Sequence, residues 1–288
     1  MTAPASPRGW YADPFERFRF RWWDGEQWTA YAANSATVEW DEAPGMEPPT
    51  TADPQPPVLA GMRVAIAGYV IGVALGFAID LAMSAAHHPG GKTVTLIASQ
   101  LGLWTGLVGA CVVVSRRRGT GSLREDFNWR FRKTDVGLGL AGAFAARILS
   151  IIVAIPIPTP FRHPHTPDKS VFDRVAHGPF DWIVLVVIVC VGAPIIEELF
   201  FRGLMQPRLV EMLGPTRGIP LTAALFGAAH MINWQGWITV VLAVSIAGGG
   251  LVLGLIRHLT GRLGPSTWAH AFFNAQAVAL AGLSNLAR

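Results

Sequence analysis

The sequence predicts an all-α polytopic membrane protein of about seven transmembrane helices, with a small β-rich N-terminal module on a Pro-rich linker. Three observations lead there. Of 288 residues, 51% are hydrophobic and only 15% charged, against about 25% charged in a soluble domain, and the mean hydropathy is +0.37. The apolar residues gather into stretches close to the roughly 20 residues that cross hydrocarbon. The first 57 residues are instead polar and rich in Pro and Trp. Disorder and an ordinary soluble enzyme are thereby excluded. The net charge of +4 is carried in loops between apolar runs, which reports topology and not nucleic-acid binding. Cys111 and Cys190 both lie inside apolar stretches, so neither a disulfide framework nor a paired-cysteine metal site is expected. No signal peptide is expected, and the first apolar span would direct insertion itself.

Residues 1–34 are expected to form the Trp-rich module. Aromatic and charged residues alternate there around Asp24-Gly25, a hairpin signal, and Trp10, Trp22, Trp23 and Trp28 supply a minimal core. Residues 35–57 hold six prolines and read as a disordered linker, because such a composition buries no core. The membrane domain is 58–288, with apolar stretches at 58–83, 93–115, 135–155, 180–201, 219–233, 237–256 and 265–284. The fifth is short for a span. Gly68, Gly72 and Gly76 recur at every fourth position, and Gly102/Gly106 and Gly250/Gly254 repeat the spacing, which lets helix backbones approach closely in lipid. His87/His88 and His163/His165 sit beside prolines in loops and read as solvated.

Seventeen of the 23 Lys and Arg fall on one side of this arrangement and five on the other. The bias places the N-terminus in the cytoplasm.

Ionisable groups inside apolar runs cost about 2.5 kcal/mol or more at the bilayer centre, so they are functional candidates by default. Three places qualify: Glu197, Glu198 and Arg202; Phe226 with His230; and His270 with Asn274. Glu198 and Arg202 stand four residues apart on one helix face and can neutralise each other, which leaves Glu197 without an intrahelical partner. Arg147, also inside a span, is an expected counter-charge for the glutamates. Counting helical rise from the nearest loops puts the three places at similar depth, in a cavity expected to open to the cytoplasm. A carboxylate, two imidazoles and an amide are the parts for hydrolysing an acyl bond with activated water. No Ser or Cys has a base at a recognisable spacing, so water is the expected nucleophile.

The motifs E-E-x-x-x-R, F-x-x-x-H and H-x-x-x-N, on successive spans over residues 180–284, resemble the CAAX prenyl protease and bacteriocin-processing family of intramembrane endopeptidases. The resemblance implies that Glu197 activates water with His230, that His270 and Asn274 form the oxyanion site, and that Glu198, Arg202 and Phe226 support them. It implies a membrane-associated protein or peptide substrate in a lipid bilayer, cleaved near the cytoplasmic side. Cofactor dependence stays open between a metal-independent glutamate mechanism and zinc held by Glu197, His230 and His270. The segment from Pro7 to Pro14, with the run from Arg21 to Thr29, resembles a Trp-rich module of unknown function found on bacterial membrane proteins, which implies a bacterial cytoplasmic membrane. Two other classes are compatible with buried Glu and His: an idle scaffold or immunity protein, and a small-molecule transporter.

Overall fold

The computed structural model describes residues 9–34, 38–41, 57–87, 91–157, 178–232 and 236–286. Most of the expected linker, and the loop holding His163 and His165, lie outside the described residues.

The N-terminal module is an antiparallel meander of β1 (Gly9–Ala12), β2 (Phe20–Trp23), β3 (Trp28–Ala33) and β4 (Val38–Trp40). The β2–β3 turn is where Asp24-Gly25 predicted it: Asp24 Oδ1 accepts the backbone N–H groups of Glu26 and Gln27, both at 2.8 Å, and Gly25 takes φ +108°. β4 carries the sheet past the expected boundary at residue 34, with Tyr31 opposite Trp40. The four expected tryptophans pack as two edge-on pairs, Trp10 with Trp22 and Trp23 with Trp28. The centre of the module, however, is a charge. Arg21 is fully buried; its Nε donates to Asp13 Oδ1 at 2.7 Å, and its Nη1 donates to the carbonyls of Thr29 and Asp41, each at 3.1 Å. Asp41 also pairs with Arg21 Nη2. Burial works to raise the Asp13 pKa, yet the Arg21 guanidinium and the backbone N–H groups of Phe18 and Phe15 outweigh it and hold the carboxyl below its ordinary 3.8.

The membrane domain is helical: α1 (Pro57–Ala85), α2 (Gly91–Arg118), the short α3 (Leu123–Asp126), α4 (Thr134–Ala154), α5 (Pro179–Leu213), α6 (Pro215–Ala228, with a 3₁₀ turn over Ala229–Met231), α7 (Trp237–Thr260) and α8 (Gly264–Leu286). The seven long helices occupy the seven expected stretches. α1, α2, α4, α5 and α7 are long and apolar enough to cross a membrane. α6, with 14 residues, is about 21 Å long, short of a roughly 30 Å hydrocarbon core. Apolar side chains such as Phe77, Phe144, Ile148 and Ile183 are more than half exposed, as a lipid-facing surface requires.

Small residues set the closest approaches. A Cβ on Gly68 would lie 2.8 Å from the Gly106 carbonyl oxygen, and one on Gly72 would lie 2.5 Å from that of Leu103, so α1 and α2 pack backbone to backbone as the spacing predicted. α5 is longer than expected. It runs on through Gln206 and Pro207 to Leu213 and contains two π-helical stretches, Val187–Gly192 and Glu198–Met205. Pro194 lies just past the first. In that wider register the N–H of Ala193 reaches the carbonyl of Ile188, so the next carbonyl, Val189, would await an N–H that Pro194 does not have.

Candidate active site

The three motifs converge. Within α5, Glu198 and Arg202 are both fully buried and pair at 2.9 Å between Oε1 and Nη1. Arg202 Nη2 donates to the Gly250 carbonyl of α7 at 3.0 Å, and its guanidinium carbon lies 4.2 Å from the centre of the Phe226 ring. Gly250 is what admits it: a Cβ there would sit 2.9 Å from Phe226 and 3.1 Å from Arg202 Nη2. Phe226 of α6 is the hub, edge-on to His230 at 5.0 Å, to His270 at 5.4 Å and to Phe201 at 5.2 Å. α8 brings His270 between the two glutamates, with Nδ1 at 3.2 Å from Glu198 Oε1 and Nε2 at 3.8 Å from Glu197 Oε2.

His230 Nδ1 lies 2.8 Å from the Phe226 carbonyl. A carbonyl only accepts, so this contact places the proton on Nδ1 and leaves Nε2 with its lone pair. Glu197 and His230 line one cavity of about 360 Å³. Phe201 and Ala229 also line it, and Tyr69, Asp80, Ser99 and Gln100 contribute polar groups from α1 and α2. These four were not singled out by the sequence. Their signal was present, as polar side chains inside otherwise apolar spans, but they form no short-range motif with the glutamates.

Asn274 behaves differently from the other motif residues. Its Nδ2 donates to the Val189 carbonyl at 2.8 Å, supplying the hydrogen bond that Pro194 cannot. Arg147 is not a counter-charge for the glutamates, as expected from its position in a span. It donates from Nε to Gln276 Oε1 at 3.1 Å and from Nη2 to the Phe273 carbonyl at 2.7 Å, and it covers the Phe273 ring. The cavity lining also differs from the expected opening. Val73 to Asp80 on α1 and Leu96 to Leu103 on α2 belong to the halves nearest the α1–α2 turn, with Tyr69 and Leu107 just past the helix midpoints, and that turn is at the end opposite the N-terminal module and its basic loops.

A zinc set of Glu197, His230 and His270 does not fit this arrangement. Among the described residues no group of three or more His, Cys, Asp or Glu side chains converges to hold a metal, and both ring nitrogens of His270 face carboxylates.

Residues 179–276 match the family described as type II CAAX prenyl endopeptidase Rce1-like. This segment is similar to that family. It contains every residue of the three motifs and begins with α5, so the Rce1-like match and the converging side chains cover the same helices. Residues 9–57 match a family described as a protein of unknown function (DUF2510). No curated relative and no solved structure matches the chain. The five apolar helices and this similarity indicate a multi-pass membrane protein, in which residues 179–276 are similar to a protease family.

Proposed function

We propose that the protein is an intramembrane endopeptidase that hydrolyses a peptide bond of a membrane-associated substrate with water activated by Glu197. The observation that carries this reading is the shared cavity of Glu197 and His230, with His270 interposed between Glu197 and Glu198. Glu197 takes a proton from water held between its carboxylate and His230 Nε2. The hydroxide adds to the scissile carbonyl carbon, and the C–N bond breaks as Glu197 returns the proton to the departing amine. The oxyanion role implied for His270 requires its Nε2 to turn from Glu197 to the oxygen that gains charge, while Glu198, paired with Arg202, holds its Nδ1. Asn274 takes the oxyanion role implied by resemblance only by exchanging the Val189 carbonyl for the substrate; in the present geometry it is a positioning residue.

The cavity lining favours substrate access from the end carrying the α1–α2 turn. The Lys/Arg asymmetry makes that end extracytoplasmic, against the expectation of cleavage near the cytoplasmic side. The test is the set of new protein N-termini in membranes of cells expressing the wild type or Glu197→Gln at equal levels. The proposal expects a subset present with the wild type and lost in the variant. Identical sets would overturn it.

A further inference from the structure

A second cavity, of about 430 Å³, lies on the far side of the Glu198–Arg202 layer, between the N-terminal module and the membrane domain. The module contributes Trp10, Arg19 and Phe20, and the membrane domain contributes Arg118, Arg208, Arg257 and His258. Arg118 lies in the last turn of α2 and Arg257 and His258 in the last turn of α7, whereas Arg208 lies within α5, five residues before its end at Leu213. Basic residues in a last turn offset the helix dipole, and basic loops set topology. Neither role requires the ends of α2 and α7 and the flank of α5 to face one half-open space under a separate module.

The charges in this space are unbalanced. Among the described residues that line it, Glu211 is the single carboxylate, and Arg19 already pairs with it at 3.5 Å. Arg202, at the floor, is matched by Glu198. Arg118, Arg208 and Arg257 have no hydrogen bond or ion pair to any other described residue, and Arg257 Nε is buried without a hydrogen-bond partner. Space is kept for Arg208 by Gly61, whose Cβ would lie 3.3 Å from Arg208 Nε. Arg208 and Arg257 are half-buried and Arg118 is exposed; guanidinium groups gathered in one cleft repel one another, and planar paired donors match phosphate oxygens better than any neutral ligand.

We propose that this cavity binds a phosphate-bearing anion, held by Arg118, Arg208 and Arg257 and covered by Trp10 and Phe20 of the module. Bound there, the anion bridges module and membrane domain, because Arg19 and the membrane arginines face it from opposite walls. Its position at the helix ends with the greater share of Lys and Arg puts it at the depth of lipid headgroups, so the phosphate comes from an anionic phospholipid or from a soluble phosphate compound. The inference is independent of the peptidase reading, since it uses neither Glu197 nor His230.

The experiment uses the full-length protein in phosphatidylcholine nanodiscs. Thermal unfolding is followed while titrating inorganic phosphate in one arm and dihexanoyl phosphatidylglycerol in another, with dihexanoyl phosphatidylcholine as control. A saturable rise in Tm with at least one of the two anions, weakened at least tenfold in apparent affinity by Arg208→Gln/Arg257→Gln, is expected. A response to phosphate identifies a soluble source, and a response to phosphatidylglycerol alone identifies a headgroup. If the double variant does not fold, Arg118→Gln, at an exposed position, is expected to weaken binding at least threefold. No response to either anion, or equal responses in wild type and folded variants, would overturn the inference.

Discussion

The buried glutamate pair divides its labour through its neighbours. Glu198 is locked between Arg202 and His270, whereas Glu197 lines a cavity, its nearest charged neighbour being His270 Nε2 at 3.8 Å. Substituting Glu197→Gln or His230→Ala is expected to lower turnover by about a hundredfold or more, the scale of a lost general base, with folded yield unchanged; single-turnover cleavage of an identified substrate checks it. Arg202→Met has a different signature. It strands Glu198 as a buried charge and is expected to cost about 3–5 kcal/mol of stability, read as a large drop in Tm before any activity is assayed. The i,i+4 pairing of Glu198 with Arg202 was legible in the sequence because it depends only on helix geometry. The bridging by His270 was not, since it joins residues 72 positions apart. Arg147 misled for the same reason: charge in a span can be read locally, but its partners on α8 cannot. Arg21 was hidden more deeply, because an arginine in an alternating strand reads as a solvent-facing residue until Asp13 and Asp41 are seen on either side of it.

Helix existence followed from hydropathy, while helix ends and internal irregularities did not. α5 outran its expected end at residue 201 because Pro207 occupies a position in the first turn of a regular helical segment, Gln206–Leu213, where a missing N–H does no harm. The π-helical stretches left no mark in the apolar pattern, and they are where Asn274 acts. Replacing Asn274→Leu removes the partner of the Val189 carbonyl and is expected to destabilise the protein by about 1–3 kcal/mol, measurable by thermal unfolding; Asn274→Gln does not restore the contact, being one methylene longer. The glycine spacing was read correctly between α1 and α2. At Gly250 and Gly254 it has a further use, exposing α7 carbonyls to Arg202 and to Gln206, whose Nε2 donates to Gly254 at 2.8 Å. β4 was missed because a three-residue strand after a short polar break carries too little alternation to be distinguished from the linker.

For the protein as a unit, orientation and module stability are separately testable. A single cysteine at Arg117, in a background lacking Cys111 and Cys190, is expected to resist impermeant maleimides in intact cells, while one at Asp80 is expected to react. Labelling at Arg117 would reverse the orientation. The module should be acid-labile. Because Asp13 titrates below its ordinary value of 3.8 in the folded state, its contribution is complete above that pH and is lost as the pH falls through the lower, folded value. Hydrogen exchange across β2 and β3 in the intact protein, corrected for intrinsic rates, is expected to accelerate between pH 5 and pH 2, and Asp13→Asn to remove that acid transition while lowering protection at neutral pH.

The backbone contact between α1 and α2 bears on how a polypeptide could reach Glu197. Two helices joined through Gly68, Gly72 and Gly106 have few side chains between them to rearrange, so the pair is expected to move as one stiff paddle. Movement of the pair against α5 is then expected to pass through the side-chain contact where Tyr69 of α1 stacks against Phe200 of α5, ring centres 6.4 Å apart. A reversible cross-link between cysteines at those two positions is expected to halt cleavage until reduced, whereas one stapling α1 to α2 leaves it running.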